Sequence, residues 1–233
     1  TFGDNFSQSL SNALDNCTSL THIEFGFHFN QPLFNALDNC TSLTHIYFGH
    51  WFLQPIGNAL CNCTSLTNIV FDNGYCGNLS DSLNNCPSLT HIVLSHVSFP
   101  SLIPLENLTL LTHLTFGDKF NCPLHNLLNN CTSLTHLTFG HSFSQPLGNA
   151  LDNCKALTHI SFGLRFTQSL DNSLVVCTAL TSLAFGEDFN RPLCNALDNC
   201  KLLTNIEFGY NFNQPLANSL DKLIYLTHIK FGY

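Results

Sequence analysis

Cysteine and histidine are the side chains here with the most chemistry to offer, and both recur in columns. Eight of the twelve cysteines share one register: Cys17, Cys40, Cys63, Cys86, Cys131, Cys154, Cys177 and Cys200. Thiols in series could form disulfides or hold a metal. Their spacing is that of a long repeat, however, not of zinc ligands, and no C-x-x-C occurs. The column therefore reads as buried thiols used as small core residues, with Thr109 and Leu223 near the same slot. Seven histidines form a second column: His22, His45, His91, His113, His136, His159 and His228, with Asn68, Ser182 and Asn205 in the remaining slots. Three roles compete for it: a stacked, hydrogen-bonded ladder that holds register, a pH-sensitive strip, and a metal-binding strip. The ladder is the preferred reading. No carboxylate accompanies the column regularly, although Glu24 and Glu207 sit two residues on.

Nucleophilic or metal-assisted catalysis finds little support. There is no H-E-x-x-H, no P-loop, no G-x-S-x-G, and no Cys–His pair standing apart from the repeats. A non-enzymatic protein is expected, with no catalytic residue, no metal ligand set and no cofactor.

The columns follow from a repeat of 23 residues that runs through the chain. Leu20, Leu43, Leu66 and Leu89 open successive units, Leu111 follows after 22, and Leu134, Leu157, Leu180, Leu203 and Leu226 resume the period. The unit reads L-T-H-I-x-F-G-x-x-F-N-Q-P-L-x-N-A-L-D-N-C-T-S. A fixed period in this range marks a solenoid, whose units bury their apolar sides only by stacking. Counting the Leu as position 1, positions 4 and 6 are apolar, as in Ile46 and Phe48, and that alternation predicts a short strand with one face inward. Gly at position 7 predicts a bend. Pro at position 13 and Leu at 14 and 18 predict a short helix or 3-10 turn. The fold expected is an α/β solenoid: about ten units of 23 residues, one parallel β-sheet of short strands, and short helical or 3-10 returns. Residues 1–233 form a single array. Units 66–110 are irregular, with Gly77-Asn78-Leu79 replacing Q-P-L and with Pro100 and Pro104, and a change of curvature is expected there.

These patterns resemble known families. L-x-x-I-x-F with a helical return resembles the leucine-rich repeat, and Cys40-Thr41-Ser42-Leu43-Thr44-His45-Ile46 looks like the BspA-type class. The segments Phe25–Leu33 and Phe208–Leu216 resemble the FNIP repeats of amoebae and amoeba-infecting giant viruses. The resemblance implies a protein-recognition or scaffolding solenoid. The alternative is a structural or surface component, such as a virion, filament or adhesin spacer, assembling through its open ends.

Composition narrows the partners. Charged residues are only 9%, and seven Lys and Arg face fifteen Asp and Glu, for a net charge of -8. No basic stripe can neutralise phosphates, so nucleic acid is not an expected partner. No apolar run is long enough for a membrane span. Many free thiols favour an intracellular, reducing compartment. Against that, Asn16, Asn39, Asn62 and Asn130 stand in N-C-T sequons and Asn107 in N-L-T, although the repeat itself generates these triplets. The chain lacks Met and is cut mid-repeat at both ends, which suggests a fragment of a longer protein and end-to-end self-association.

Positions 5, 8, 9 and 15 vary most among the units, which places them outside the stacking core. Together with the His column they define the expected binding surface: His22, Glu24, Phe27, His45, Tyr47, His50, Trp51, His113, His136, His159, Arg165, Glu207 and Tyr210. Trp51 is the single tryptophan, with Phe27, Tyr47 and His50 near it in sequence phase, and aromatics in such a place are typical protein-contact anchors.

Overall fold

The computed structural model describes residues 1–72, 80–83, 85–95, 105 and 107–232. Ten strands lie in chain order in one parallel sheet: β1 (His22–Glu24), β2 (His45–Phe48), β3 (Asn68–Phe71), β4 (His91–Leu94), β5 (His113–Phe116), β6 (His136–Thr138), β7 (His159–Ser161), β8 (Ser182–Ala184), β9 (Asn205–Glu207) and β10 (His228–Lys230). Each residue pairs with its equivalent one unit away. His113 lies beside His136, Leu114 beside Leu137 and Thr115 beside Thr138. The 22-residue unit keeps this register, since His91 still faces His113.

The alternation of apolar and polar residues decides which face is which. In β3, β4 and β5 the position-4 and position-6 residues are buried while those at 3 and 5 are only half-buried. Inside, the Phe residues at positions 6 and 10 form two parallel stacks. Phe139 lies 4.1 Å from Phe143 within its unit and 5.4 Å from Phe162 in the next, the latter pair only 3° from parallel. Phe143 and Phe166 are 6.1 Å apart. Leu at positions 1, 14 and 18 packs against them, and Leu134, Leu147 and Leu151 are buried. Such rings add edge and stacking energy beyond their area.

Two recurrent residues, an invariant Thr and a Gly that only Asp72 and Ser95 replace, hold one turn of the solenoid to the next. The Thr at position 2 bonds its hydroxyl to the Thr carbonyl one unit earlier, as Thr135 Oγ1 does to Thr112 O at 3.0 Å. The same carbonyl accepts the N–H groups of Thr135 and His136, both at 2.9 Å. The Gly at position 7 marks the closest approach of the backbones. A Cβ on Gly163 would stand 2.0 Å from the Gly140 carbonyl oxygen, so no larger residue fits.

The returns differ from expectation. The single described helix is α1 (Ser80–Leu83). Elsewhere the return is a chain of tight turns, closed by Ala36 N–H to Leu33 O, Asp38 N–H to Asn35 O and Cys40 N–H to Leu37 O at 2.8, 3.1 and 2.9 Å. The cause lies at position 15. Ser11, Phe34, Gly57, His125, Gly148, Asp171, Cys194 and Ala217 all have left-handed φ, between 38° and 53°. One left-handed residue inside a four-residue span stops helix propagation. The change of curvature expected over units 66–110 falls largely outside the described residues, while β3, β4 and β5 around it remain paired.

Candidate functional site

The outer face of the sheet carries positions 3 and 5. The imidazoles stack along it: His22 on His45 at 4.3 Å, His91 on His113 and His113 on His136 at 4.2 Å, and His136 on His159 at 4.3 Å. The rings are within 8–12° of parallel. Asn68 interrupts the column after His45, and Ser182 and Asn205 separate His159 from His228. Each Nδ1 sits 2.8–2.9 Å from the hydroxyl of the preceding Thr. Partial burial, then the neighbouring imidazoles, lowers the pKa of His45, His113 and His136 below the usual 6.5.

At the N-terminal end this face meets the rim. Phe27 stacks on His50 at 4.7 Å, 5° from parallel, and Trp51 meets His50 edge-on at 5.5 Å. Beside them lies an open cleft of about 310 Å³, lined by Asp4, Glu24, Phe27, Tyr47, His50 and Asp72 among others. Burial, then the charge of Asp72 and a hydrogen bond to it, then Glu24 and Asp4, push the Tyr47 hydroxyl up to about 12. His50 Nδ1 is 4.0 Å from Asp72. Asp4 is also committed to structure, since its carboxylate accepts from Phe27 N–H at 3.2 Å. The cleft thus joins three carboxylates to a wall of stacked rings.

The other surface residues named from sequence do not join this cluster. Arg165 and Tyr210 are exposed on later units, Tyr210 at 68%. Glu207 pairs with Lys230 at 3.7 Å. The thiol column faces the core. Cys40, Cys63, Cys86, Cys131, Cys154, Cys177 and Cys200 are fully buried and Cys17 partly so. Burial pushes Cys63, Cys86, Cys131, Cys177 and Cys200 up to about 12 and Cys154 to about 11. Several donate weakly to a Leu carbonyl in the preceding unit, as Cys154 Sγ does to Leu128 O at 3.8 Å. Among the described residues no three His, Cys, Asp or Glu side chains converge as a metal cage. Among those residues, too, no helix is long and apolar enough to cross a membrane.

A third column escaped the sequence reading. Asn at position 11 caps the rim between units. Asn190 Oδ1 accepts from Asn213 N–H at 2.9 Å and from Gln214 Nε2 at 3.0 Å, and Asn30 and Asn121 do the same one unit on. The recurring F-N dipeptide, as in Phe29-Asn30, Phe120-Asn121 and Phe189-Asn190, was its available signal.

No curated protein sequence matches the chain. Among solved structures, CroV588, described as a novel circular LRR protein, aligns with 100% of the chain at a TM-score of 0.77 and 30% identity. The chain spans only 39% of that protein's length. An internalin (InlF) from Listeria monocytogenes aligns over 97% of this chain and 72% of its own, with a TM-score of 0.64 and 18% identity. Toll of Drosophila, solved with Spatzle, aligns over 99% and 38%, at 0.66 and 12%. The last two likenesses speak for the fold alone. The BspA type leucine rich repeat region matches residues 1–103 and 104–232, in six copies. With that match running alongside a parallel sheet whose Leu, Ile and Phe columns recur once per unit, the chain belongs to the BspA-type leucine-rich repeat family.

Proposed function

We propose that this solenoid is a non-enzymatic recognition module that binds a protein partner at its N-terminal rim by taking up an arginine or lysine side chain. One observation carries this reading: the cleft in which Asp4, Glu24, Tyr47 and Asp72 lie against the Phe27–His50 stack, with Trp51 edge-on to His50 beside it. Elsewhere the rings are mostly packed inside, whereas here Phe27 is 40% and Trp51 49% exposed. A guanidinium satisfies both halves of the cleft, since it pairs with carboxylates and lies flat on aromatic faces. The net charge of -8 favours a basic partner over long range. As the single tryptophan, Trp51 serves as the reporter. Titration with arginine-rich peptides should change its emission saturably, and the change should weaken with salt and in Asp72→Asn/Glu24→Gln. Equal response to glutamate-rich peptides, or an unaltered response in the double variant, would refute the reading.

The likeness to CroV588 favours a second reading, a structural component of a larger closed or open array, which self-association in light scattering would support. Within the family we read the units as FNIP-like, because the Asn of F-N-x-P forms the inter-unit caps at Asn30 and Asn190. The described free cysteines support a reducing compartment, while the exposed sequon residues Asn16, Asn39, Asn62, Asn107 and Asn130 would be open to glycan attachment elsewhere. Endoglycosidase treatment of the native protein separates the two.

A further inference from the structure

One rung of the imidazole column is missing near its start. Asn68 pairs with His45 on one side and His91 on the other, so these two rings face each other across an asparagine. The rungs beyond them hold both walls. His22 stacks on His45 at 4.3 Å and His91 on His113 at 4.2 Å, 9° and 12° from parallel. The Thr hydroxyls fix the ring protons. Thr44 Oγ1 donates to Thr21 O at 2.9 Å and Thr90 Oγ1 to Thr67 O at 3.2 Å, as Thr135 Oγ1 does to Thr112 O further along. A carbonyl only accepts, so each hydroxyl spends its one proton there and can only accept from the imidazole beside it. His45 and His91, like His136, therefore carry their proton on Nδ1. These bonds lock the rings with their faces turned along the column.

Asn68 fills only the inner half of its rung. Its amide lies 2.8 Å from Thr67 Oγ1, in the place where Nδ1 of each flanking histidine meets its own Thr at 2.8–2.9 Å. Thr67 Oγ1 also donates to Thr44 O at 3.0 Å. With that proton committed, the amide turns Nδ2 to the hydroxyl and leaves Oδ1 as an acceptor on the open side. An asparagine has no atoms in the place of Cε1 and Nε2, so the outer half of the rung is a slot between two ring faces. Two rungs set these faces roughly 8.5–9.5 Å apart. One planar group in contact at about 3.5–4.0 Å on each side needs roughly 7–8 Å, and two stacked groups exceed the slot. A groove of about 430 Å³ on the sheet face reaches it, lined by His22, Glu24, His45, Tyr47, Asn68 and Val70 among others.

We propose that the slot over Asn68 takes up an arginine side chain of a protein partner, its guanidinium sandwiched between His45 and His91 and donating to Asn68 Oδ1. The inference rests on the recognition reading for the nature of the partner, and adds a planar contact to the cation of the rim cleft. Glu24 and Tyr47 line both the groove and the cleft, so one segment with two basic side chains can span them. Three features select a guanidinium. It is flat and lies on ring faces. It has donors and no acceptor, which matches Oδ1. It is a cation, which neutral rings, the Glu24 carboxylate and the net charge of -8 all favour. A lysine ammonium is a point charge with no plane to insert. The second interruption of the column serves as a control. Ser182 and Asn205 leave two rungs without a ring, so His159 and His228 stand roughly 14 Å apart and cannot clasp one plane.

The test follows the imidazole Hε1 signals of the whole chain by NMR at pH 7.5, during titration with N-acetyl-arginine methylamide and, separately, its lysine counterpart. The arginine compound should shift His45 and His91 saturably and leave His159 and His228 in place, and the lysine compound should shift them several-fold less. Asn68→His closes the slot with the column's own residue and should abolish the response, whereas Asn205→His should not. Histidine already occupies this column on both sides of Asn68, so the fold should hold, which circular dichroism verifies. Asn68→Gln, whose longer amide reaches into the slot, is a second way to close it. Emission of Trp51 reports the rim cleft in the same samples, and Asn68→His should leave that response unchanged. No shift at His45 and His91 beside a normal Trp51 response would overturn the slot and spare the cleft. The reverse pattern would overturn the cleft alone. An equal response to the lysine compound, or an undiminished one in Asn68→His, would also overturn the proposal.

Discussion

Replacing Phe34 with glycine should make the protein more stable. Phe34 is the second residue of the turn closed by Ala36 N–H to Leu33 O at 2.8 Å, and its φ is 44°. A left-handed backbone costs an L side chain roughly 1–2 kcal/mol. Glycine removes that strain and returns about 0.5–1 kcal/mol through its freer unfolded chain. The ring is 73% exposed, so little burial is lost. The net gain should be about 0.5–1 kcal/mol. His125 and Cys194 share this conformation, with φ of 38° and 46°, in units that do not touch that of Phe34 or each other. The triple variant Phe34→Gly/His125→Gly/Cys194→Gly should therefore gain about 1.5–3 kcal/mol, because separate sites add. Gly148→Ala runs the argument backwards. Its φ is 53° and an added Cβ meets nothing within 4 Å, so its cost of about 0.5–1 kcal/mol reports the backbone alone. Urea denaturation with an unchanged m-value supplies the readout. A lower midpoint for the triple variant, or a Gly148→Ala as stable as the parent, would refute position 15 as a strained site.

Phe139, buried between Phe116, Phe143 and Phe162, should cost about 3–5 kcal/mol when cut to alanine, seen as a lower urea midpoint. The imidazole ladder predicts an acid-sensitive fold. His45, His113 and His136 bind protons less readily folded than unfolded, so their contribution is intact above about 6.5 and declines as pH falls through that value toward their lower folded pKa. Melting temperature between pH 7.5 and 5 checks this, and a flat profile would contradict it. In the native protein a thiol reagent at pH 8 should label the exposed Cys194 first and leave the buried Cys63, Cys86, Cys131, Cys154, Cys177 and Cys200, with pKa values of about 11–12, unlabelled until urea is added. Rapid native labelling of Cys154 would show that the column is not closed.

The columns were legible because stacking forces equivalence. A residue that touches its own copy, such as Phe143 on Phe166, repeats unchanged, and strand polarity follows from Ile and Phe two residues apart. The return was misread because Leu at positions 14 and 18 satisfies helical spacing, while only Gly57 and Gly148 advertise the left-handed residue between them. Phe34 and His125 conceal it. The rim cleft was partly legible. Glu24, Phe27, Tyr47, His50 and Trp51 were named from their variability, but Asp4 and Asp72 join them only through stacking of four successive units. The histidine tautomer depends on a hydroxyl one residue before and a carbonyl one unit before, a relation that periodicity alone does not encode.

The short unit between His91 and His113 has a consequence for how such chains change in length. Thr112 still bonds Thr90 O, 22 residues back rather than 23, and the columns after it stay in phase. The sheet therefore acts as a ruler that is reset at every Thr-His step, and the returns absorb errors of count. Gain or loss of whole units by recombination between near-identical segments, and even a ragged junction within a return, leaves the remaining rungs aligned. A lineage carrying this design can lengthen or shorten its array without having to refold it from the beginning.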